Sequence, residues 1–218
     1  MGVTLELAPD VLVPREETEL LGRNAAAILR EREGGALVVD MCCGSGNLAL
    51  GLAAAIADAR LFAADLTDST VALARRNAER LGLSQRVTVR QGDLFEALAG
   101  DDLAGKVDVI VCNPPYISTG RLESESAHLL ESEPREAFDG GPYGLSIHQR
   151  VIRDAVGFLK PGGWLLFEFG HGQERQAAAL IARTKAYEAP DFAKDAEGAP
   201  RVAIVRRRSD ETGAGSAA

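Results

Sequence analysis

The chain has 218 residues, nearly half of them apolar, a net charge of −8 and a pI near 5.0. That size and apolar share suit one α/β domain with a full core. The acidic balance argues against an extended nucleic-acid-binding face, which needs Lys and Arg to neutralise phosphates. The three cysteines, Cys42, Cys43 and Cys112, form neither a disulfide framework nor a zinc spacing. With no signal-peptide pattern at the start and no apolar stretch long enough to span a bilayer, the expectation is a reduced, cytoplasmic protein without a membrane partner.

Residues Met1–Leu12 carry little signal. A helix is predicted from about Glu16 to Glu31, with an acidic first turn and Leu20, Leu21, Ala25, Ile28 and Leu29 at helical spacing. Gly34-Gly35 ends it. Ala36–Asp40 reads as the first buried strand and runs into Asp40-Met41-Cys42-Cys43-Gly44-Ser45-Gly46-Asn47, then a helix over Leu48–Ala59. A strand, a glycine-containing turn and a helix form an element that cradles nucleotides with backbone N–H groups. The second strand, Leu61–Asp65, ends on a carboxylate at the distance where ribose hydroxyls are met in βαβ nucleotide sites.

A helix over Ser69–Leu81, capped by Ser or Asp near its start, leads to a third strand, Val87–Gln91, and to Gly92-Asp93-Leu94. Asp93, just past the strand end, fits either a turn residue or a carboxylate that accepts from an adenine amino group, with Leu94 giving backbone and apolar contacts. Val107–Cys112 is a mostly apolar, β-branched run, the signature of a strand buried on both faces. Asn113-Pro114-Pro115-Tyr116 stops it, since neither proline can donate to a ladder. The long acidic segment Ser118–Pro134 is expected to cover the site as a lid. Ala137–Gly144 is turn-rich. Leu145–Leu159 reads as a helix ended by Pro161-Gly162-Gly163, Trp164–Phe169 as a fifth strand and Gln173–Thr184 as a helix. Two short strands are expected near Tyr187–Pro190 and Val202–Arg206. The chain divides into an N-terminal segment and helix (1–35), a catalytic domain (36–206) and a disordered tail (207–218). His128, His148 and His171 share no spacing and are assigned to neither catalysis nor a metal.

The Asn-Pro-Pro-Tyr loop carries the chemistry. The Asn113 side-chain oxygen and the Pro114 carbonyl are both acceptors, able to hold an NH2 group by its two hydrogens. Tyr116 supplies a ring for a planar group on that nitrogen. Such a loop suits transfer of an electrophilic carbon to a weakly nucleophilic amide or exocyclic amine, through position and electrostatics and without a strong base.

Taken in order, these motifs resemble the class I S-adenosylmethionine (SAM)-dependent methyltransferases, and within them the HemK/PrmC branch of N5-glutamine methyltransferases. The resemblance spans about residues 10–206. It rests further on Pro14-Arg15-Glu16-Glu17-Thr18-Glu19, on the block Glu133-Pro134-Arg135 through Asp139-Gly140-Gly141 and Gly144-Leu145, on Leu159–Trp164, and on Lys194-Asp195 with Arg201. It implies a doubly wound, Rossmann-like seven-stranded sheet of order 3-2-1-4-5-7-6 with the last strand antiparallel. Asp40 to Gly46, including Cys42, Cys43, Gly44 and Ser45, would hold the methionine part of SAM. Asp65 with Leu66 would hold its ribose side and Asp93-Leu94 its adenine. Asn113, Pro114, Pro115, Tyr116 and Arg15 would meet the acceptor.

Two departures stand out. Cys42 occupies a position where the superfamily usually has glycine, and either Cys42 or Cys43 is expected beside Cys112. Bacterial members of the branch also carry an N-terminal helical domain for the protein substrate, whereas little chain precedes Pro14 here. Three acceptors therefore stay open: a glutamine side chain of a protein such as a peptide-chain release factor, served by a small activating partner protein as in short members of the family; a small molecule; and, disfavoured by charge, a flipped nucleic-acid base.

Overall fold

The computed structural model describes residues 2–124, 126, 130 and 134–209. His128, Glu133 of the block above and tail residues 210–218 lie outside the described residues. The described residues form one seven-stranded sheet: β1 (Leu37–Met41), β2 (Arg60–Asp65), β3 (Val87–Gln91), β4 (Val107–Cys112), β5 (Leu159–Glu168), β6 (Asp191–Lys194) and β7 (Pro200–Arg206). Its order is 3-2-1-4-5-7-6, as expected. β7 runs antiparallel to both its neighbours, and the other pairs are parallel. The helices are α1 (Glu16–Arg30), α2 (Asn47–Ala55), α3 (Asp68–Arg80), α4 (Thr119–Ser124), α5 (Ser146–Phe158) and α6 (Glu174–Thr184).

The alternation of side chains along each strand splits the core in two. Val38, Val109, Val111 and Leu166 face α1, α2 and α3, packing with Leu21, Leu48, Leu50 and Val71. Val39, Met41, Ile110, Cys112 and Phe167 face the opposite layer, with Val151, Ile152 and Ile181 of α5 and α6. All six residues of β4 are buried, which is why the run has no polar alternation. Each such aliphatic side chain contributes about 1.5–3 kcal/mol on burial. Leu21, Ala25 and Leu29, four residues apart, seat α1 on the first face. Strand order reverses direction between β1 and β4, which are hydrogen-bonded neighbours. The loops at their carboxyl ends therefore open onto one crevice, the place where open α/β sheets bind ligands.

Three local expectations are corrected. β5 begins at Leu159, not Trp164: Val107 pairs with Leu159 and Val109 with Trp164, so Lys160–Gly163 bulge out of the ladder. Asp108 anchors the bulge. Its carboxylate meets the Lys160 ammonium and Arg32 Nη2 (2.7 Å), and accepts from the Leu37 N–H at 2.8 Å. A Cβ on Gly163 would lie 3.0 Å from the Val107 carbonyl oxygen, hence glycine there. β6 lies at Asp191–Lys194, beyond the expected Tyr187–Pro190. Tyr187 is buried instead, its hydroxyl donating to the Ile152 carbonyl at 2.9 Å. The cap of α3 is Thr67, not Ser or Asp; its Oγ1 accepts from the Thr70 N–H at 3.3 Å.

Candidate active site

β1 delivers the chain into the turn Met41–Gly46, where Cys42 (φ 59°), Gly44 (φ 53°) and Gly46 (φ 84°) are left-handed. For a residue with a Cβ that conformation costs about 1–2 kcal/mol, and such strain collects at ligand sites. The left-handed turn is one that glycine adopts without that cost. The turn is pinned to β2: the Cys43 N–H donates to the Ala64 carbonyl at 3.1 Å and the Gly44 N–H to Asp65 Oδ2 at 2.8 Å. Asp65 also accepts from the Leu66 N–H (2.8 Å) and the Thr70 hydroxyl (2.9 Å). Asp40 is wholly buried and accepts from the Ala49 N–H at 2.9 Å, tying α2 to the end of β1. Burial pushes its carboxyl up to about 8, against the opposing effect of the Ala49 bond. Its Oδ1 has no hydrogen-bond partner among the described residues.

At the end of β3, Gly92 turns with φ 156° and Leu94 is left-handed at φ 52°. A Cβ on Gly92 would lie 2.8 Å from Ala97 Cα, so only glycine lets the 3₁₀ turn Leu94–Leu98 fold back there. Asp93 pairs with Arg150 of α5 at 2.8 Å. These segments wall a cavity of about 340 Å³, with Met41, Cys42, Gly44, Asp65, Leu66, Asp93, Leu94, Asn113 and Pro115 on one side. Leu12, Ile147 and the segment Pro134–Ala137 with Asp139 close it from the other. The lining suits a nucleoside: two carboxylates at the strand ends can accept from hydroxyl or amino groups, and the half-exposed Leu66 beside Asp65 offers an apolar wall.

A second cavity, of about 210 Å³, lies beyond Asn113 and is lined by Arg15, Glu17, Pro114, Tyr116, Phe138 and Glu168. Asn113 lines both cavities and stands in the wall between them. Asn113 Nδ2 donates to Thr18 Oγ1 at 3.0 Å, and that hydroxyl donates to Glu168 Oε2 at 3.0 Å. The Tyr116 hydroxyl donates to Glu168 Oε1 at 3.1 Å, and the Arg201 guanidinium lies 6.0 Å from the Tyr116 ring centroid. Burial raises both the Tyr116 phenol and the Glu168 carboxyl above their usual ranges; for Glu168 the Thr18 and Tyr116 bonds and Arg201 work against it.

The Asn-Pro-Pro-Tyr loop is clamped from behind. Gln173 Nε2 donates to the Tyr116 carbonyl at 3.1 Å, while Gln173 Oε1 accepts from the Gly170 N–H at 2.8 Å. The Gly140 N–H donates to the Ile117 carbonyl at 2.8 Å. A Cβ on Gly140 would lie 2.8 Å from the Pro115 carbonyl oxygen, and one on Gly144 would run into that of Tyr116. The glycines of the turn-rich block thus let one loop lie flat against the other.

Comparison with known proteins agrees with this fold. Residues 26–141, over half of the chain, match the family model described as the methyltransferase small domain. The chain is 36% identical to the release factor glutamine methyltransferase of Moorella thermoacetica over 96% of its own length and 72% of the relative's. It is 40% identical to the enzyme of the same name from Geobacter sulfurreducens, covering 84% of this chain and 61% of that one. The chain belongs to the HemK/PrmC-type, SAM-dependent methyltransferases. A crystal structure of the protein-(glutamine-N5) methyltransferase of Alicyclobacillus acidocaldarius superposes with a TM-score of 0.54 at 25% identity, over 93% of this chain and 99% of that one.

Within this methyltransferase the expected residues separate into walls and supports. Cys42, Gly44, Asp65, Leu66, Asp93, Leu94 and Asn113 line the larger cavity; Arg15, Pro114 and Tyr116 line the smaller. Pro115, expected on the acceptor side, lines the larger one. Asp40, Cys43, Ser45 and Gly46 line neither. A Cβ on Gly46 would lie 3.1 Å from Leu50 Cδ1 and 3.4 Å from Ala74 Cβ, so that glycine allows α2 and α3 to pack closely. The Cys42 side chain lies against Cys112, as expected; burial pushes the Cys43 and Cys112 thiols well above the usual range, which leaves them inert. His148 is buried, with Nε2 against the Glu168 carbonyl at 2.9 Å, and touches neither cavity. Sequence reasoning gave no role to Thr18, Glu168, Arg150 or Gln173. Thr18 had a signal in the Pro-Arg-X-X-Thr-Glu segment; Glu168 had one as a lone carboxylate in an apolar strand.

Proposed function

We propose that the protein methylates the side-chain amide nitrogen of a glutamine in a protein, a peptide-chain release factor being the acceptor. The observation that carries this reading is the sharing of Asn113 between two cavities, one suited to a sulfonium nucleoside and one to a planar amide. SAM supplies a methyl group on a positively charged sulfur. The Asn113 oxygen and the Pro114 carbonyl take the two N–H groups of the amide, which turns the nitrogen lone pair toward that methyl and holds the positive charge that grows on nitrogen. Tyr116 lies beside the amide plane, and Asp65 and Asp93 hold the nucleoside. A carbon–nitrogen bond forms as the carbon–sulfur bond breaks, and the nitrogen sheds a proton to water.

The Moorella and Geobacter relatives named for this activity, each at least 36% identical, support the glutamine reading. We place the reaction in the cytoplasm; among the described residues no helix is long and apolar enough to cross a membrane. The test is incubation with SAM and candidate release factors, followed by peptide mass analysis of the Gly-Gly-Gln region. One added methyl on that glutamine is expected. No added methyl, with turnover of free small amides or amines instead, overturns the reading.

A further inference from the structure

The Asn113 amide has two ends, and only one suits an incoming N–H group. Its oxygen accepts; its NH2 would confront a second donor. Which end faces the acceptor is set by what holds the other. Here Nδ2 is held by Thr18 Oγ1 at 3.0 Å, and the Thr18 hydroxyl proton goes to Glu168 Oε2 at 3.0 Å. Because the Thr18 hydroxyl donates its one proton to Glu168, it keeps a lone pair for Asn113. Thr18 and Glu168 are 2% and 1% exposed, too deep for water to replace either bond. The second Glu168 oxygen takes the Tyr116 hydroxyl at 3.1 Å, so one carboxylate orients both polar groups of the Asn-Pro-Pro-Tyr loop. Thr18 lines neither cavity and acts only through Asn113.

We propose that Thr18 and Glu168 are positioning residues: a directed Glu168–Thr18–Asn113 hydrogen-bond chain fixes the Asn113 amide with its oxygen toward the nitrogen to be methylated. The proposal rests on the function given above for the identity of that nitrogen. Thr18→Val keeps the shape of the side chain but leaves Nδ2 without its acceptor and lets the amide turn. Thr18→Ser restores the hydroxyl.

The test compares wild type, Thr18→Ser and Thr18→Val. Methyl transfer is followed at saturating SAM against varied release factor, and SAM affinity is measured by calorimetry. Nuclear magnetic resonance follows the side-chain amides of isotopically labelled asparagine. The chain has four asparagines, Asn24, Asn47, Asn77 and Asn113, so the Asn113 signal is assigned by its loss in Asn113→Ala. In wild type and Thr18→Ser the Asn113 amide protons exchange slowly, and kcat agrees within about 3-fold; in Thr18→Val the protection is lost and kcat falls by about 100-fold. SAM affinity and the acceptor KM stay within about 3-fold throughout, the pattern of an interaction used in the transition state. A wild-type kcat in folded Thr18→Val overturns the proposal. So does a wild-type Asn113 amide that exchanges as fast as an exposed one, which decides the matter even if Thr18→Val does not fold. If the wild type leaves release factors unmethylated, the function fails separately, and the Asn113 spectra still settle the positioning.

Discussion

The side-chain amide of Asn113 donates to the hydroxyl of Thr18 at 3.0 Å, joining the loop after β4 to the first turn of α1 across 95 residues of chain. With its nitrogen held there, the orientation proposed above turns the Asn113 oxygen toward the nitrogen to be methylated. Asn113→Ala is expected to lower kcat by about 100- to 1,000-fold, the usual cost of losing one group aimed at developing charge. SAM affinity is expected to change by no more than several-fold, because Asn113 is one of many residues lining the larger cavity. Single-turnover methyl transfer together with calorimetry checks both halves.

Gly144 supports that loop by having no side chain. Its φ is 70°, and a Cβ there would collide with the Tyr116 carbonyl oxygen. Gly144→Ala is expected to destabilise the fold by about 2–4 kcal/mol, combining left-handed strain with overpacking. By displacing Tyr116 it also lowers methyl transfer by about 100-fold. Gly172→Ala is the matched control: φ is 78° but nothing lies within 4 Å, so only the backbone cost of about 1 kcal/mol applies, read by urea unfolding.

Cys42 holds a left-handed conformation that its Cβ disfavours. Comparing Cys42→Gly with Cys42→Ala separates that strain from the loss of the thiol, since both variants lack sulfur. The glycine variant is expected to be more stable by about 1 kcal/mol, measured by urea denaturation.

His148 makes stability depend on pH. Burial lowers its pKa from 6.5 to about 4, against the opposing Glu168 carbonyl bond. Between these values the unfolded chain binds a proton at His148 that the folded chain does not, so the His148 part of the stability rises with pH, opposite in sign to that of the buried Asp40 carboxyl. The loss is absent above pH 6.5 and grows to about 3 kcal/mol as pH falls to 4. Urea denaturation of wild type and His148→Gln across this range is expected to show the extra slope in wild type alone.

The elements that position the site were legible because their signals are local. The apolar run Val107–Cys112 is buried throughout, and the carboxylates Asp65 and Asp93 stand where their strands end. Where tertiary structure overrides local pattern, the reading slipped. Asp191–Lys194 forms an edge strand with half-exposed, weakly patterned residues, while the more strand-like Tyr187 turns inward and donates to the Ile152 carbonyl in the middle of α5. Pro161-Gly162-Gly163 signals a turn, yet the Asp108 ion cluster holds it as a bulge within β5. Thr18 and Glu168 meet across 150 residues, a contact that no window of sequence contains.

A crystal structure with S-adenosylhomocysteine and a glutamine-bearing peptide bound together tests the division of labour at Asn113 most directly. The account places the nucleoside in the cavity between Asp65 and Asp93. It places the glutamine nitrogen in the cavity of Tyr116 and Glu168, within hydrogen-bond reach of both Asn113 Oδ1 and the Pro114 carbonyl. A peptide amide bound elsewhere, or an Asn113 oxygen turned away from it, would contradict the account.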